Sequence, residues 1–180
     1  MCGPERPTRT IGAVRLPRIS PTTYRRITLV ALATLVFIVV SGAAVRLTGS
    51  GLGCSDWPTC EQGQLVAPLE LHPMIEFVNR TVTGLVSLAV IVAVLGSLVR
   101  QPRRRDLTWW SLGLVAGIVG QIVLGGLTVL AELSPPFVMG HYLLSIALVW
   151  NGVVLYKRAS GPGTPAVPRV SASSIAWSRG

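Results

Sequence analysis

Residues 75–99 read IEFVNRTVTGLVSLAVIVAVLGSLV and run directly into the basic stretch RQPRRR, residues 100–105. A helix that crosses a bilayer needs roughly 20 predominantly apolar residues. This run is long enough, and its only ionisable side chains are Glu76 and Arg80, both near its start. Three more runs share its character: Ile27–Val45, Leu107–Ala131 and Leu133–Tyr156. The first and third of the four runs carry no ionisable residue, and the fourth carries His141. Half of the 180 residues are hydrophobic and only 13% are charged. A soluble domain carries about 25% charged residues. The composition therefore excludes a soluble enzyme and a disordered chain.

The net charge of +9 would suit a nucleic-acid partner, but its distribution does not. Arg6, Arg9, Arg15, Arg18, Arg25 and Arg26 precede the first span. Arg100, Arg103, Arg104 and Arg105 separate spans two and three, and Lys157, Arg158, Arg169 and Arg179 follow the fourth. Only Arg46 and Arg80 lie elsewhere. Basic residues accumulate on the cytoplasmic side of membrane proteins. The expectation is a multi-pass protein of the cell membrane with both termini cytoplasmic and no nucleic-acid partner. The basic N-terminal segment is long and the first apolar run exceeds the 7–15 residues of a signal-peptide core. No cleavable signal peptide is expected, although Ser41-Gly42-Ala43-Ala44 is small enough to resemble a cleavage site.

Short connections force neighbouring helices to run antiparallel. The sequence thus predicts an all-α, integral-membrane, up-down bundle of four transmembrane helices over residues 27–158. An external loop covers 46–73. Residues 1–26 read as a basic cytoplasmic tail, and residues 159–180, small, polar and proline-bearing, as a disordered cytoplasmic tail. Spans one and three end alike, in VRLTG and LGGLT, a faint trace of a repeated hairpin.

Four groups of residues can carry chemistry. At 100° per residue, Glu76, Asn79, Arg80, Thr83 and Ser87 share one stripe of span two. Charged groups inside a membrane usually face a bundle interior and function. The plainer reading is an i, i+4 ion pair at the helix start, which would not require the stripe to continue. His141 lies about one turn into span four. It is either a hydrogen-bonding group between helices or an axial ligand to heme iron. Gln121 and Thr128 of span three lie at similar depth, so polar groups from several spans converge on one layer. Cys54 and Cys60 sit in the external loop, where a disulfide is permitted. They form either a staple or a redox-active pair, and a spacing other than CxxC favours the staple. Cys2 falls on the cytoplasmic side as a free thiol. Gly113, Gly117, Gly120, Gly125 and Gly126 allow close helix approach and would equally make room for a flat macrocycle. His72 reads as interfacial and exposed.

Taken together, GAAVRLTGSGLGCSDWPTC after span one, HPMIEFVNRTVTGL opening span two, GQIVLGGLTVL in span three and HYLLSIALVW in span four resemble the heme A synthase family over roughly residues 28–157. The resemblance implies conversion of heme O to heme A, a porphyrin methyl group being oxidised to a formyl group for cytochrome oxidase biogenesis. It implies two similar four-helix bundles with histidines of the second and fourth helix of each facing heme. Glu76 matches an essential glutamate. His141 matches the fourth-helix histidine and would be the iron ligand. Cys54 and Cys60 match a loop pair that forms a functionally linked disulfide. Arg46 and Arg80 are candidate partners of the heme propionates.

Two departures stand out. Asn79, a poor ligand for heme iron, occupies the second-helix histidine position, with which five-coordinate iron on His141, or an open face for oxygen chemistry, would be compatible. The second bundle, which in the family holds a heme b cofactor, is missing. The chain then corresponds to an N-terminal half, a truncated product or a half-size form that dimerises, and the tail after Arg158 fits truncation. Implied partners are heme O, membrane lipid, a second copy or second four-helix half, heme O synthase and an electron donor. Two other readings stand beside this one. One is a non-catalytic heme-binding or assembly subunit. The other is a quinone-linked thiol oxidase, disfavoured by the cysteine spacing and the lack of a second cysteine pair.

Overall fold

The computed structural model describes residues 18–60, 63–64 and 66–161. Most of both expected tails, Cys2 included, lies outside the described residues. Four helices follow one another: α1 Pro21–Leu47, α2 Leu71–Val99, α3 Arg105–Leu130 and α4 Pro135–Ser160. All four are long and apolar enough to cross a membrane, and each packs on two neighbours. Contacts join α1 to α2, α2 to α3, α3 to α4 and α4 back to α1, so α2 and α4 stand diagonally opposed. The fold is the expected all-α membrane bundle.

Helices α1, α2 and α3 start ahead of the apolar stretches, whereas α4 starts inside its own. Ser20 accepts a hydrogen bond from the Thr23 N–H at 3.1 Å, and Pro21 occupies the first turn. This is an N-terminal signature that satisfies an otherwise orphaned donor. It starts α1 ahead of Ile27. Pro135 and Pro136 likewise occupy the first turn of α4, which begins inside its apolar run with no side-chain cap. The α2 helix closes at Arg100, where Ile19 lies alongside as a short parallel bridge. The Ile19 N–H donates to the Val99 carbonyl, and the Gln101 N–H to the Ile19 carbonyl.

The two ends of the bundle differ in charge. At one end, the arginine end, Asp106 is the only acid among the described residues. Arg104 holds it through two hydrogen bonds of 2.7 and 3.1 Å. Arg104 also donates to the Arg158 carbonyl, and Arg158 lies over the Trp110 ring. Arg25 donates to the Tyr156 hydroxyl at 3.1 Å. At the other end, the loop end, the α1–α2 connection folds back over the helices.

Burial is unevenly distributed along the bundle. Tyr24, Leu35, Val86, Val90, Leu107, Leu114, Ile118, Leu148 and Leu155 form one apolar core, which runs from mid-bundle to the arginine end. Toward the loop end the helices bury only Val45, Glu76 and Gly126. Between core and loop lies a layer of half-buried polar residues: Ser41, Asn79, Thr83, Gln121, His141 and Ser145. Large apolar residues such as Phe37, Val40, Leu85 and Trp150 face outward, as a lipid-facing surface requires.

Candidate functional site

The α1–α2 connection is a folded cap. Cys54 and Cys60 are joined in a disulfide and are both buried, with Ala67 and Phe77 packed beside them. A Cβ on Gly53 would meet the His72 backbone at 2.5 Å, so only glycine lets the loop lie this close to the start of α2. Ser50, fully buried, hydrogen-bonds His72 Nδ1 at 2.9 Å and Thr48 Oγ1 at 2.8 Å. On the far side the Trp57 ring sits against Gly126 of α3, where a Cβ would come within 2.9 Å of it. Leu133 of the α3–α4 turn covers Gly51.

One ion pair holds this cap to α2. Arg80 Nη2 bonds Glu76 Oε1 at 2.5 Å. The same guanidinium donates to the carbonyls of Asp56 and Thr59 at 2.9 Å and of Cys54 at 3.4 Å. Glu76, only 4% exposed, accepts the Cys54 N–H on Oε2 at 3.0 Å. Buried charges are tolerated when they are paired and hydrogen-bonded, and both partners here meet that condition. The simple helix-start pair anticipated for Glu76 and Arg80 is present, and it also ties the disulfide loop to the membrane helix.

The rest of the α2 stripe divides. Thr83 and Ser87 turn their hydroxyls back to the carbonyls of Asn79 and Thr83, the usual resting place of such groups in a helix. Asn79 reaches α1 instead, its Oδ1 accepting from Ser41 Oγ at 2.8 Å. Arg46 is exposed in the last turn of α1, and no side-chain partner meets it among the described residues.

His141 belongs to the opposite pair of helices. A stair of small residues on α3 receives α4: Asn151 on Gly113, Leu148 on Gly117, Leu144 on Gly120 and His141 on Gly125. The His141 Cε1 lies 3.3 Å from where a Gly125 Cβ would be. This close seat fixes the side of α4 on which the imidazole stands. Its Nδ1 is buried without a partner. Nε2 makes no hydrogen bond among the described residues. Gln121 Nε2 donates to the His141 carbonyl at 3.2 Å and to Ser145 Oγ at 2.6 Å.

The structure thus brings Glu76, Arg80 and the two cysteines together, and separately His141 with Gln121. Ser41, Trp57 and Ser145 were not singled out from the sequence. Ser145 carried a usable signal, lying one turn after His141 on the same helix face. Trp57 had none, since its seat on Gly126 is set by a loop fold.

The donor set suits an iron porphyrin. An imidazole with an unpaired buried nitrogen stands over a glycine, in the half-buried polar layer beside the apolar core. Among the described residues no cluster of three metal-ligating side chains competes for a bare ion. Fold and site therefore define a polytopic helical membrane protein with a disulfide-stapled cap over a histidine-bearing polar layer. The chain belongs to the cytochrome oxidase assembly protein family, COX15-CtaA, whose family model matches residues 25–177. It is similar to the heme A synthase of Listeria welshimeri serovar 6b, 32% identical over 124 residues that make up 67% of this chain and 40% of that protein. The heme A synthase of Exiguobacterium sibiricum is 29% identical over 132 residues, 71% of this chain and 44% of that protein. A shorter match to the heme A synthase of Lysinibacillus sphaericus is 46% identical over 61 residues, 32% of this chain and 19% of the other. The chain spans less than half the length of these curated relatives.

Proposed function

We propose that this chain is the N-terminal four-helix half, or a half-size form, of a heme A synthase, and that it takes heme O into the polar layer beneath the cap. The observation that carries this reading is the place of His141, on Gly125 in the half of the bundle where the apolar core gives out. His141 would hold the iron through Nε2. On the diagonally opposed helix Asn79 presents an amide already bonded to Ser41, so α2 offers no second imidazole at that position. The iron porphyrin supplies the oxidation chemistry at its methyl carbon.

Glu76 sits at the boundary of cap and layer, where its carboxylate can stabilise developing positive charge or relay a proton. Arg46, unpaired at the loop end, is the partner of a heme propionate. Arg80 was expected to share that role, but both its terminal nitrogens are spent on the loop and on Glu76. We assign it to holding the cap closed.

The arginine end faces the cytoplasm in this reading, and the cap faces outward, where an oxidised cysteine pair persists. Heme O synthase upstream, an electron donor, membrane lipid, and a second copy or second four-helix half with its heme b complete the system. The coverage of less than half of the relatives favours a second reading, in which this unit binds heme and turns over only with that other half. Conversion of heme O by the chain alone and by the chain supplemented with a second half distinguishes the two. No conversion in either case, from a chain that binds heme O, would leave a binding or assembly role.

A further inference from the structure

Two unpaired polar atoms lie buried at the His141 level of the α3–α4 contact: Gln121 Oε1 and His141 Nδ1. The orientation of the Gln121 amide follows from its neighbours. Ser145 Oγ donates to the His141 carbonyl at 2.9 Å, so the carbonyl and the hydroxyl oxygen both face Gln121 as acceptors. The NH2 group must point at them. Oε1 is then left as an acceptor with nothing to accept. An imidazole that ligates a metal through Nε2 carries its proton on Nδ1, and such ligands almost always donate that proton to a second group.

We propose that Gln121 is a positioning residue for His141. Its NH2 group pins the turn of α4 that bears the histidine, and its Oε1 accepts the Nδ1 proton once Nε2 is engaged. The two atoms are not bonded to each other in the structure; ligation is what pairs them. The pairing fixes the tautomer and strengthens Nε2 as a donor to iron. This inference rests on the heme reading above.

The test uses the full chain in detergent, with protoheme as the probe, and two variants, Gln121→Leu and Gln121→Glu. Leucine removes the acceptor, and glutamate replaces it with a stronger one toward which the Ser145 hydroxyl can turn. The iron–histidine stretching mode of the ferrous protein should fall in Gln121→Leu and rise in Gln121→Glu. The midpoint potential should move up and down respectively. Protoheme affinity should drop about tenfold or more in the leucine variant, the usual cost of losing such a partner. A purely structural role would weaken binding in both variants without opposite spectroscopic shifts. Equal or absent shifts in variants that still bind would overturn the proposal.

If the wild-type chain binds no protoheme, the heme reading itself fails, and the inference falls with it; if the wild type binds and the variants bind without opposite shifts, the inference alone falls.

Discussion

Arg80 donates to three loop carbonyls and to Glu76. Arg80→Ala would release the loop and strand a buried carboxylate. Breaking a buried pair costs about 3–5 kcal/mol. The lower end applies, since the Arg80 side chain keeps 22% of its exposure. The thermal unfolding midpoint in detergent should fall by several degrees, and the disulfide should reduce faster. Glu76→Gln keeps an acceptor for the Cys54 N–H and should fall less, yet heme A formation in a complete system should be lost. Wild-type stability in Arg80→Ala would contradict the strut role, and unchanged heme A formation in Glu76→Gln would contradict the catalytic one. At this scale the sequence was only partly readable. The i, i+4 spacing revealed the Glu76–Arg80 pair, but not the carbonyls of Asp56 and Thr59, which depend on how the loop folds back. Asn79 stood out as a departure, whereas its bond to Ser41 depends on how α1 and α2 are rotated against each other.

Helix α3 is the element on which the histidine depends, because its small residues set how close α4 comes. A Cβ on Gly117 would fall inside the Leu148 side chain. Overpacking of this kind costs about 1–3 kcal/mol. Gly117→Ala should therefore lower the unfolding midpoint and weaken heme binding by shifting α4. Gly84 on α2 has nothing within 4 Å of where its Cβ would be. Gly84→Ala should be neutral or slightly stabilising, since alanine is the better helix former. Equal behaviour of the two variants in a thermal-shift and heme-binding comparison would contradict the tight α3–α4 seat. The glycines were visible in the sequence, but their purpose was not. Helix approach and room for a macrocycle predict the same residues, and only the side chains lying on each glycine separate them. At Gly117 and Gly120 the neighbours are Leu148 and Leu144, so those two serve helix approach.

The molecule as a whole is polarised, with basic groups at one end and a stapled cap at the other. That asymmetry was the most legible feature of the sequence, because bilayer thickness fixes span length and arginines mark one side. Residues 27–45 and 107–131 announced their helices without ambiguity. The starts at Pro21 and Leu71 were less evident: the Ser20 cap sets the first ahead of its apolar run, and Leu71 follows no side-chain cap. The proposed orientation makes a direct prediction in a Cys2→Ser background. Glu70→Cys, exposed at the loop end, should react with a membrane-impermeant maleimide on intact cells. Arg103→Cys should react only after permeabilisation, and the reverse pattern would invert the topology. The central claim, that the half-buried polar layer is a heme O site ligated by His141, is tested most directly by anaerobic heme O titration of the purified chain. The Soret band reports binding, and His141→Ala is the control. Saturable binding that the substitution abolishes is the predicted result. Absent binding, or binding indifferent to His141, would contradict it.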